Sequence, residues 1–462
     1  MQAAADKAIG LLLMLITILV ICAEWGVALW ASFLTPAMML GLVIILTMQV
    51  SLSRKIFVAV AAFLSLALVV TNPNWREIIL QGSAAAAFIG AFFAALSTLR
   101  TVAATSPAIE RAGAFLAGQR PGKRYGALTI GGQAFALLLN YGSIQLLGAL
   151  AMSNAKFEPN VEIRGHRIRR MLLAVQRAFI STLPWSPLSF AIAISTTVIP
   201  DTSWTQVLVP GLVTSSIVAG IGWAMDSIFK PRLSVTPVRS DPPGTLAVML
   251  PLIALLATLI VGVTVLNAFT DVRIVGLVAV LVPTISIVWL FIQHWSKAPL
   301  ISVAQRVSRY VLEELPTYRG ELILLMMAGY IGTIGSQLLA PIVVNAGFDF
   351  SSFPTWLVLV SFVWIIPIAG QLGMNPILIV TLIAPLIPSA ASLGVEPTAL
   401  VVALTAGWVM SAASSPFTAT TLLIGSFAGV TARHVGLVWN GTFTIICCFV
   451  LSLWVLIYAF IS

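Results

Sequence analysis

Apolar runs of about 20 residues, the length a helix needs to cross a bilayer core, recur along the whole chain between short polar or proline-bearing turns. The pattern predicts spans at 8–33, 36–52, 56–71, 78–98, 171–199, 206–228, 246–270, 274–294, 321–345, 397–432 and 436–461. Two further apolar segments, 126–152 and 354–389, predict re-entrant helical hairpins. Basic residues flank the first on both sides, in 99–125 and from Lys156 to Arg170, so both of its ends belong on one face of the membrane. The second turns at Gln371–Asn375. The stretch 300–319, with Arg306, Arg309, Glu313, Glu314 and Arg319, is amphipathic and is predicted to lie along the inner membrane surface.

Four places interrupt the apolar pattern. Leu139-Asn140-Tyr141-Gly142-Ser143 and Leu183-Pro184-Trp185-Ser186-Pro187 lie in the first half; Gly370 through Pro376 and Ser411 through Pro416 lie in the second. A helix facing lipid cannot be broken there, because each freed backbone N–H or C=O costs several kcal/mol in hydrocarbon. Such breaks persist where the backbone is buried in protein or lines a cavity, which in carriers is the binding site. One hairpin and one broken helix per half predict inverted repeats, joined by the basic, proline-rich loop Lys230–Pro243. The fold class is therefore an all-α polytopic membrane protein with about eleven spans and two re-entrant hairpins.

Composition agrees: 59% of residues are apolar and 8% charged, against roughly 25% charged in a soluble protein. The net charge of +9 follows from topology rather than from nucleic-acid binding. With the N-terminus inside, the outward turns hold only Arg76 and Arg273, and the other Lys and Arg fall at or near the inner face. That bias predicts a cytoplasmic N-terminus and a periplasmic C-terminus, and short outer loops without a disulfide framework predict a bacterial inner membrane. Cys22, Cys447 and Cys448 sit in apolar runs and are predicted to be packing residues. An intramembrane enzyme is disfavoured, because His166, His294 and His434 lie in or beside inner loops and no phosphate-binding loop is present. No bound cofactor is implied, Na⁺ as a coupling ion apart.

The chemistry available at the breaks is that of amides, hydroxyls and freed backbone. Asn140 and Asn375 offer two donors and an acceptor each, which suits a carboxylate or a cation and equally suits capping a helix end. Ser143, Ser186, Ser414, Ser415, Thr418 and Thr420 lie at or just past breaks, where half-helix N-termini favour an anion. Gly142 and Gly373 allow close approach of the backbone, and Pro187, Pro376 and Pro416 free carbonyls. Tyr141, Trp185 and Gln371 are placed to shape a pocket. The candidate substrate contacts are Asn140, Tyr141, Gly142, Ser143, Ser186, Pro187, Gln371, Asn375, Ser414, Ser415 and Thr418; the candidate ion contacts are Asn140, Gly142, Gly373, Asn375, Ser411 and Ser415. Of the intramembrane ionisable residues, Glu24 is expected near the outer interface, and Arg177 and Asp226 near inner helix ends, snorkelling or ion-paired, with Arg177 also the best cation for guiding an anion into an inward-facing cavity.

These motifs resemble the divalent anion:sodium symporters of the ion transporter superfamily. In that family a basic Gly-x-x-Pro loop precedes the first hairpin, and each hairpin tip carries Ser-Asn-Thr. Here the loop reads Gly118-Gln119-Arg120-Pro121-Gly122-Lys123-Arg124, and Asn140 and Asn375 fall on the family asparagines. Leu393-Gly394-Val395-Glu396-Pro397 matches the link after the second hairpin, and Trp185-Ser186-Pro187 and Ser414-Ser415-Pro416 match the broken helices. The tips depart from the pattern: Leu139 and Tyr141 flank Asn140, and Met374 and Pro376 flank Asn375.

The resemblance implies an elevator-type, homodimeric secondary transporter. Residues 1–98 would be scaffold spans and 99–199 the first hairpin and broken helix of the transport domain. Residues 200–320 would be further scaffold with the linker and interfacial helix, 321–435 the second hairpin and broken helix, and 436–462 the last span. The expected partners are a small organic anion such as a dicarboxylate, Na⁺ or H⁺, and the lipid bilayer. The alternatives are an efflux antiporter of the same fold and the membrane subunit of a binding-protein-dependent transporter.

Overall fold

The structure is a computed structural model and describes residues 2–28, 30–103, 105–231, 244–270, 272–295, 299–347 and 352–461. Most of the expected linker Lys230–Pro243 lies outside the described residues. Among the described residues every regular element is helical, and nine helices are long and apolar enough to cross a membrane. The two other expected spans are also present as helices. Residues 36–52 fall on Ala31–Gln49, and 171–199 on the pair Val161–Thr182 and Phe190–Val198.

The chain divides into two compact units. One comprises Met1–Val102, Val261–Phe350 and Ile377–Pro388; the other comprises Ala103–Ile260, Ser351–Pro376 and Ser389–Ser462. Packing thus groups the helix Trp204–Ile228 and the last helix, Gly441–Ile461, with the first hairpin, and groups Arg319–Asn345 with the N-terminal helices.

In the first unit, Gln2–Glu24 packs on Ala31–Gln49 and on a wide helical turn at Tyr310–Glu314. Gly10 is required there, because a Cβ would collide with the Val311 carbonyl. The first span ends at Glu24, short of the expected residue 33, because Gly26 adopts a left-handed φ of 66° that closes the helix. Glu24 forms a two-pronged pair with Arg273, and the Trp25 indole donates to the Gly276 carbonyl at 3.1 Å. The amphipathic stretch 300–319 runs through the wide turn directly into Arg319–Asn345, with Arg309 and Glu313 exposed and its other charges bound within the unit. Arg306 and Thr101 bind Glu314 at 2.6 and 2.7 Å, and Arg319 binds Asp6 and Gln49 at 3.0 and 2.8 Å.

The second unit is organised around Pro397–Ser414, buried along nearly its whole length as an all-round apolar helix must be. Thr355–Gln371 lies along it, with Gly407 beneath the Phe362 carbonyl where any side chain would collide. The last helix packs on both and on Trp204–Ile228. Hydrogen bonds between helices, Trp364 to Ser452 at 3.1 Å and Trp454 to Thr214 at 3.0 Å, hold the contacts where apolar burial in lipid gives no gain. The basic linker 99–125 also contains a helix, Pro107–Ala117, that periodicity did not predict. Cys447 and Cys448 are buried in the last helix.

The first hairpin, Pro121–Leu139 and Tyr141–Lys156, is closed: its arms pack on each other and on Val161–Thr182. The second, Thr355–Gln371 and Pro376–Ile383, turns where expected but belongs to both units. Its first arm packs on Pro397–Ser414, and within the other unit Thr381 of its second arm packs on Gly332 of Arg319–Asn345.

Candidate functional site

The two helix breaks share one serine-centred turn, although they differ in length. The first broken helix stops at Thr182 and resumes at Phe190; the second stops at Ser414 and resumes at Ala419. At the first, Ser186 N–H donates to the Thr182 carbonyl at 2.9 Å, Ser186 Oγ accepts Leu188 N–H at 3.1 Å, and Ser189 N–H returns to the Ser186 carbonyl at 3.1 Å. At the second, Ser415 N–H donates to the Ser411 carbonyl at 2.9 Å, Ser415 Oγ accepts Phe417 N–H at 3.2 Å, and Thr418 N–H returns to the Ser415 carbonyl at 3.4 Å. Pro187 and Pro416 each follow the serine, and lacking an N–H they cannot continue the helix. A hydroxyl that captures the N–H two residues on turns the chain without leaving that donor orphaned. Ser189 then caps Phe190–Val198 by accepting Ile192 N–H at 3.2 Å.

The hairpin tips are built differently from each other. Asn140 joins the two arms of the first with φ 49° and ψ −130°, the first central conformation of a type II′ turn, which glycine takes freely and other residues take at a cost of about 1–3 kcal/mol. Its Oδ1 accepts Tyr141 N–H at 2.8 Å, and Ser143 binds the Asn140 carbonyl through both its N–H and its hydroxyl. The amide NH₂ of Asn140 has no partner among the described residues, so its donors remain available. Tyr141 stacks on Phe179 of the first broken helix with centroids 4.9 Å apart, which directs the ring to packing, and Gly142 is buried beside it.

The second tip ends with a left-handed glycine. Gly373 has φ 92°, its N–H reaches the Gly370 carbonyl at 3.3 Å, and Met374 N–H reaches Ala369 at 3.2 Å. Asn375, half-buried, stands immediately before Pro376 and the second arm.

The second tip and the second break are locked together. Ser415 Oγ donates to the Gly370 carbonyl at 2.7 Å, and the Gln371 amide donates to Ser414 Oγ at 3.2 Å. Gly370 is the residue that allows this, since a Cβ there would come within 2.5 Å of Ser411 Oγ. Thr418 and Thr421 donate to the Ser415 carbonyl at 2.9 and 2.6 Å, and Thr420 to the Ala412 carbonyl. Gly370, Gln371, Ser411, Ser414, Ser415 and Thr418 therefore form one cluster. Asn140 to Ser143 form a second, against the first half of the first broken helix. In the second unit Gly148, of the first hairpin, packs under Phe427 of the second broken helix.

Several polar atoms at the breaks have no use inside the protein. The hydroxyls of Ser181 and Ser411 and the Trp185 indole N–H are buried and have no partner among the described residues. Ser181 is absent from the sequence-based candidates, although its place just before Thr182 and the break marks it.

A second omission concerns long-range contacts. Gln176, fully buried, donates to the Ala413 carbonyl at 3.3 Å and accepts from the Asn440 amide at 2.9 Å, tying the first broken helix to the second and to the last helix. Arg177 joins the same network through Asn440 and Tyr125. It neither snorkels nor pairs with an acid, contrary to expectation, because it lies in the part of its helix, Met171 to Thr182, that is buried on every side: the residue is 4% exposed. Asp226 does form an ion pair, with Arg170 at 2.5 Å.

The fold is similar to that of the YdaH transporter of Alcanivorax borkumensis, at 16% identity over 87% of this chain and 98% of that chain, with a TM-score of 0.54. MtrF of Neisseria gonorrhoeae, from a class of antimetabolite efflux pumps, aligns at 13% identity over 89% of this chain and 96% of that one, with a TM-score of 0.45. No protein-family model matches the chain, and no curated protein is similar to it in sequence. The first likeness establishes the fold, a polytopic helical architecture that a membrane transporter also uses.

Proposed function

We propose that this protein is a secondary active transporter that moves a small, carboxylate-like organic anion across the inner membrane by elevator-type alternating access, coupled to Na⁺ or H⁺. The observation that carries the reading is the cluster at the second tip and break. Two interrupted helical segments are hydrogen-bonded to each other through Ser415 and Gln371, and the Ser411 hydroxyl beside them is buried and unspent. In this reading the donors for the anion are the Asn140 amide, the Trp185 indole and the Ser186 hydroxyl; Ser143, Ser414 and Thr418, whose hydroxyl protons go to backbone carbonyls, would have to exchange those bonds to join them. Asn375 and Gln371 complete the pocket, and Ser411, Ser415 and the backbone around Gly142 and Gly373 offer hard oxygens to a coupling cation. The hairpins and broken helices move together, the chain works as a homodimer with its N-terminus in the cytoplasm, and the imposed gradients set the direction of net flux.

Proteoliposomes test this directly. Labelled mono- and dicarboxylates are expected to accumulate above empty liposomes under an inward Na⁺ or H⁺ gradient, and an ionophore that collapses the gradient should abolish the accumulation. No accumulation under either gradient, with no counterflow exchange for any carboxylate, would refute transport of this class. Asn140 supplies a sharper check. Asn140→Gly relieves the backbone and is expected to raise stability by about 1 kcal/mol, while lowering uptake at least tenfold through loss of the amide. If Asn140 only terminates the arm, the glycine variant is more stable and transports normally.

A further inference from the structure

Arg177 carries a charge that no described residue around it neutralises. Its Nη1 donates to the Tyr125 hydroxyl at 2.8 Å and to the Gly222 carbonyl at 3.3 Å, and its Nη2 donates to Asn440 Oδ1 at 3.4 Å. The guanidinium lies 4.1 Å from the centre of the Phe443 ring. All of these partners are neutral. Among the described residues no carboxylate lies within ion-pair distance of it, and its Nε, also buried, has no acceptor. Asp226, one turn beyond Gly222, is taken by Arg170. Arg167, Arg273, Arg306 and Arg319, by contrast, each face a carboxylate within their own unit.

A buried cation without a counter-charge is unfavourable, and arginine cannot escape by losing its proton. Cation–π contact and neutral acceptors stabilise it in part but leave one net charge in the interior. Two of its five N–H groups remain, Nε–H and one on Nη2, and a singly charged acceptor placed against Nε–H would satisfy both that hydrogen bond and the charge.

We propose that Arg177 is an anion-binding residue, with one halide-sized anion or carboxylate group seated against its Nε–H, and that this built-in cation makes the binding independent of Na⁺. Asn440 accepts from Arg177 and donates to Gln176, which donates to the Ala413 carbonyl beside the second break. An occupant at Arg177 therefore acts on the break through two amide side chains. The site itself does not depend on the transport reading; its use as counter-charge for the carried anion does.

The test uses the full-length protein in detergent, exchanged with choline as cation into a buffer free of halide and carboxylate. Choline bromide, acetate and succinate are titrated separately while thermal unfolding is followed, and each titration is repeated with Na⁺. At least one of these anions is expected to raise the midpoint saturably, with the same half-saturation in choline and in Na⁺. Arg177→Gln should weaken that half-saturation at least tenfold, and Arg177→Lys, which keeps the charge but not the fork, should weaken it less.

Because a change at a buried arginine can impair folding, a second measurement uses the unaltered protein. Crystals grown in bromide should give an anomalous peak within hydrogen-bond reach of Arg177 Nε. Bromide binding that carboxylates do not displace identifies a free halide as the occupant; displacement of the peak by acetate or succinate identifies the carboxylate of a carried molecule. The proposal falls if none of the anions stabilises the protein without Na⁺, if Arg177→Gln responds like the wild type, or if the peak lies elsewhere. Bromide at Arg177 in a protein that moves no carboxylate would sink the transport reading and leave this site standing. Normal transport with an unchanged anion response in Arg177→Gln would do the reverse.

Discussion

Ser415→Ala is expected to uncouple the second hairpin tip from the second break and to abolish uptake while the protein still inserts. Ser415 is fully buried, and its hydroxyl works twice, donating to Gly370 of the tip and accepting from Phe417 of the break. Alanine removes the closest donor to the Gly370 carbonyl, leaving Gly373 N–H at 3.3 Å, at a cost of about 1 kcal/mol, and frees the turn that sets the second half-helix. Its counterpart gives the comparison. Ser186 Oγ accepts only from Leu188 among the described contacts, so Ser186→Ala loses a turn but no link between segments. Thermal unfolding and uptake, measured on both variants, should rank Ser415→Ala as clearly the more damaging. Equal uptake in Ser415→Ala and the wild type would show that tip and break are not mechanically joined.

Gly436→Ala is expected to be destabilising at the upper end of what overpacking does, on the order of 3 kcal/mol. Gly436 lies in a wide helical turn, His434–Trp439, and an added Cβ would collide with the Ser414 carbonyl. The atom struck is backbone at the end of a buried helix, so no rotamer change can relieve it. The turn would have to withdraw and carry with it Asn440, which holds Gln176 and Arg177. The control is five residues on: a Cβ at Gly441 meets nothing within 4 Å, so Gly441→Ala should be neutral or slightly stabilising. Unfolding midpoints of the two variants decide it, and similar values for both would show that the last helix can shift freely.

The breaks were legible from the sequence because their cause is local. Ser186-Pro187 and Ser415-Pro416 remove a donor and supply a hydroxyl to bend the chain, and no distant residue is needed for that. The turn at Asn140 was legible for the same reason, although not its strained backbone, since asparagine gives no sign of which conformation it will take. What depends on partners far along the chain could not be read. The amphipathic pattern of 300–319 gave no sign that Arg306 binds Glu314 and the Thr101 carbonyl. Gln176, Arg177 and Asn440 share no spacing or motif, and only tertiary packing brings them together.

That dependence on distance bears on how the protein is made. The two units are interleaved in the chain, and each is completed by a segment beyond residue 376. Gln176 must wait for Ala413, 237 residues later, and for Asn440, 264 residues later. At ribosomal rates of about 5–20 residues per second, the first broken helix spends many seconds in the membrane with its amide and guanidinium lacking their final partners. Individual spans can insert as they emerge, but the broken helices cannot reach their final hydrogen bonding until the last helix has been synthesised. Biogenesis is therefore insertion followed by a separate, late assembly step, and the polar network is the part that forms last.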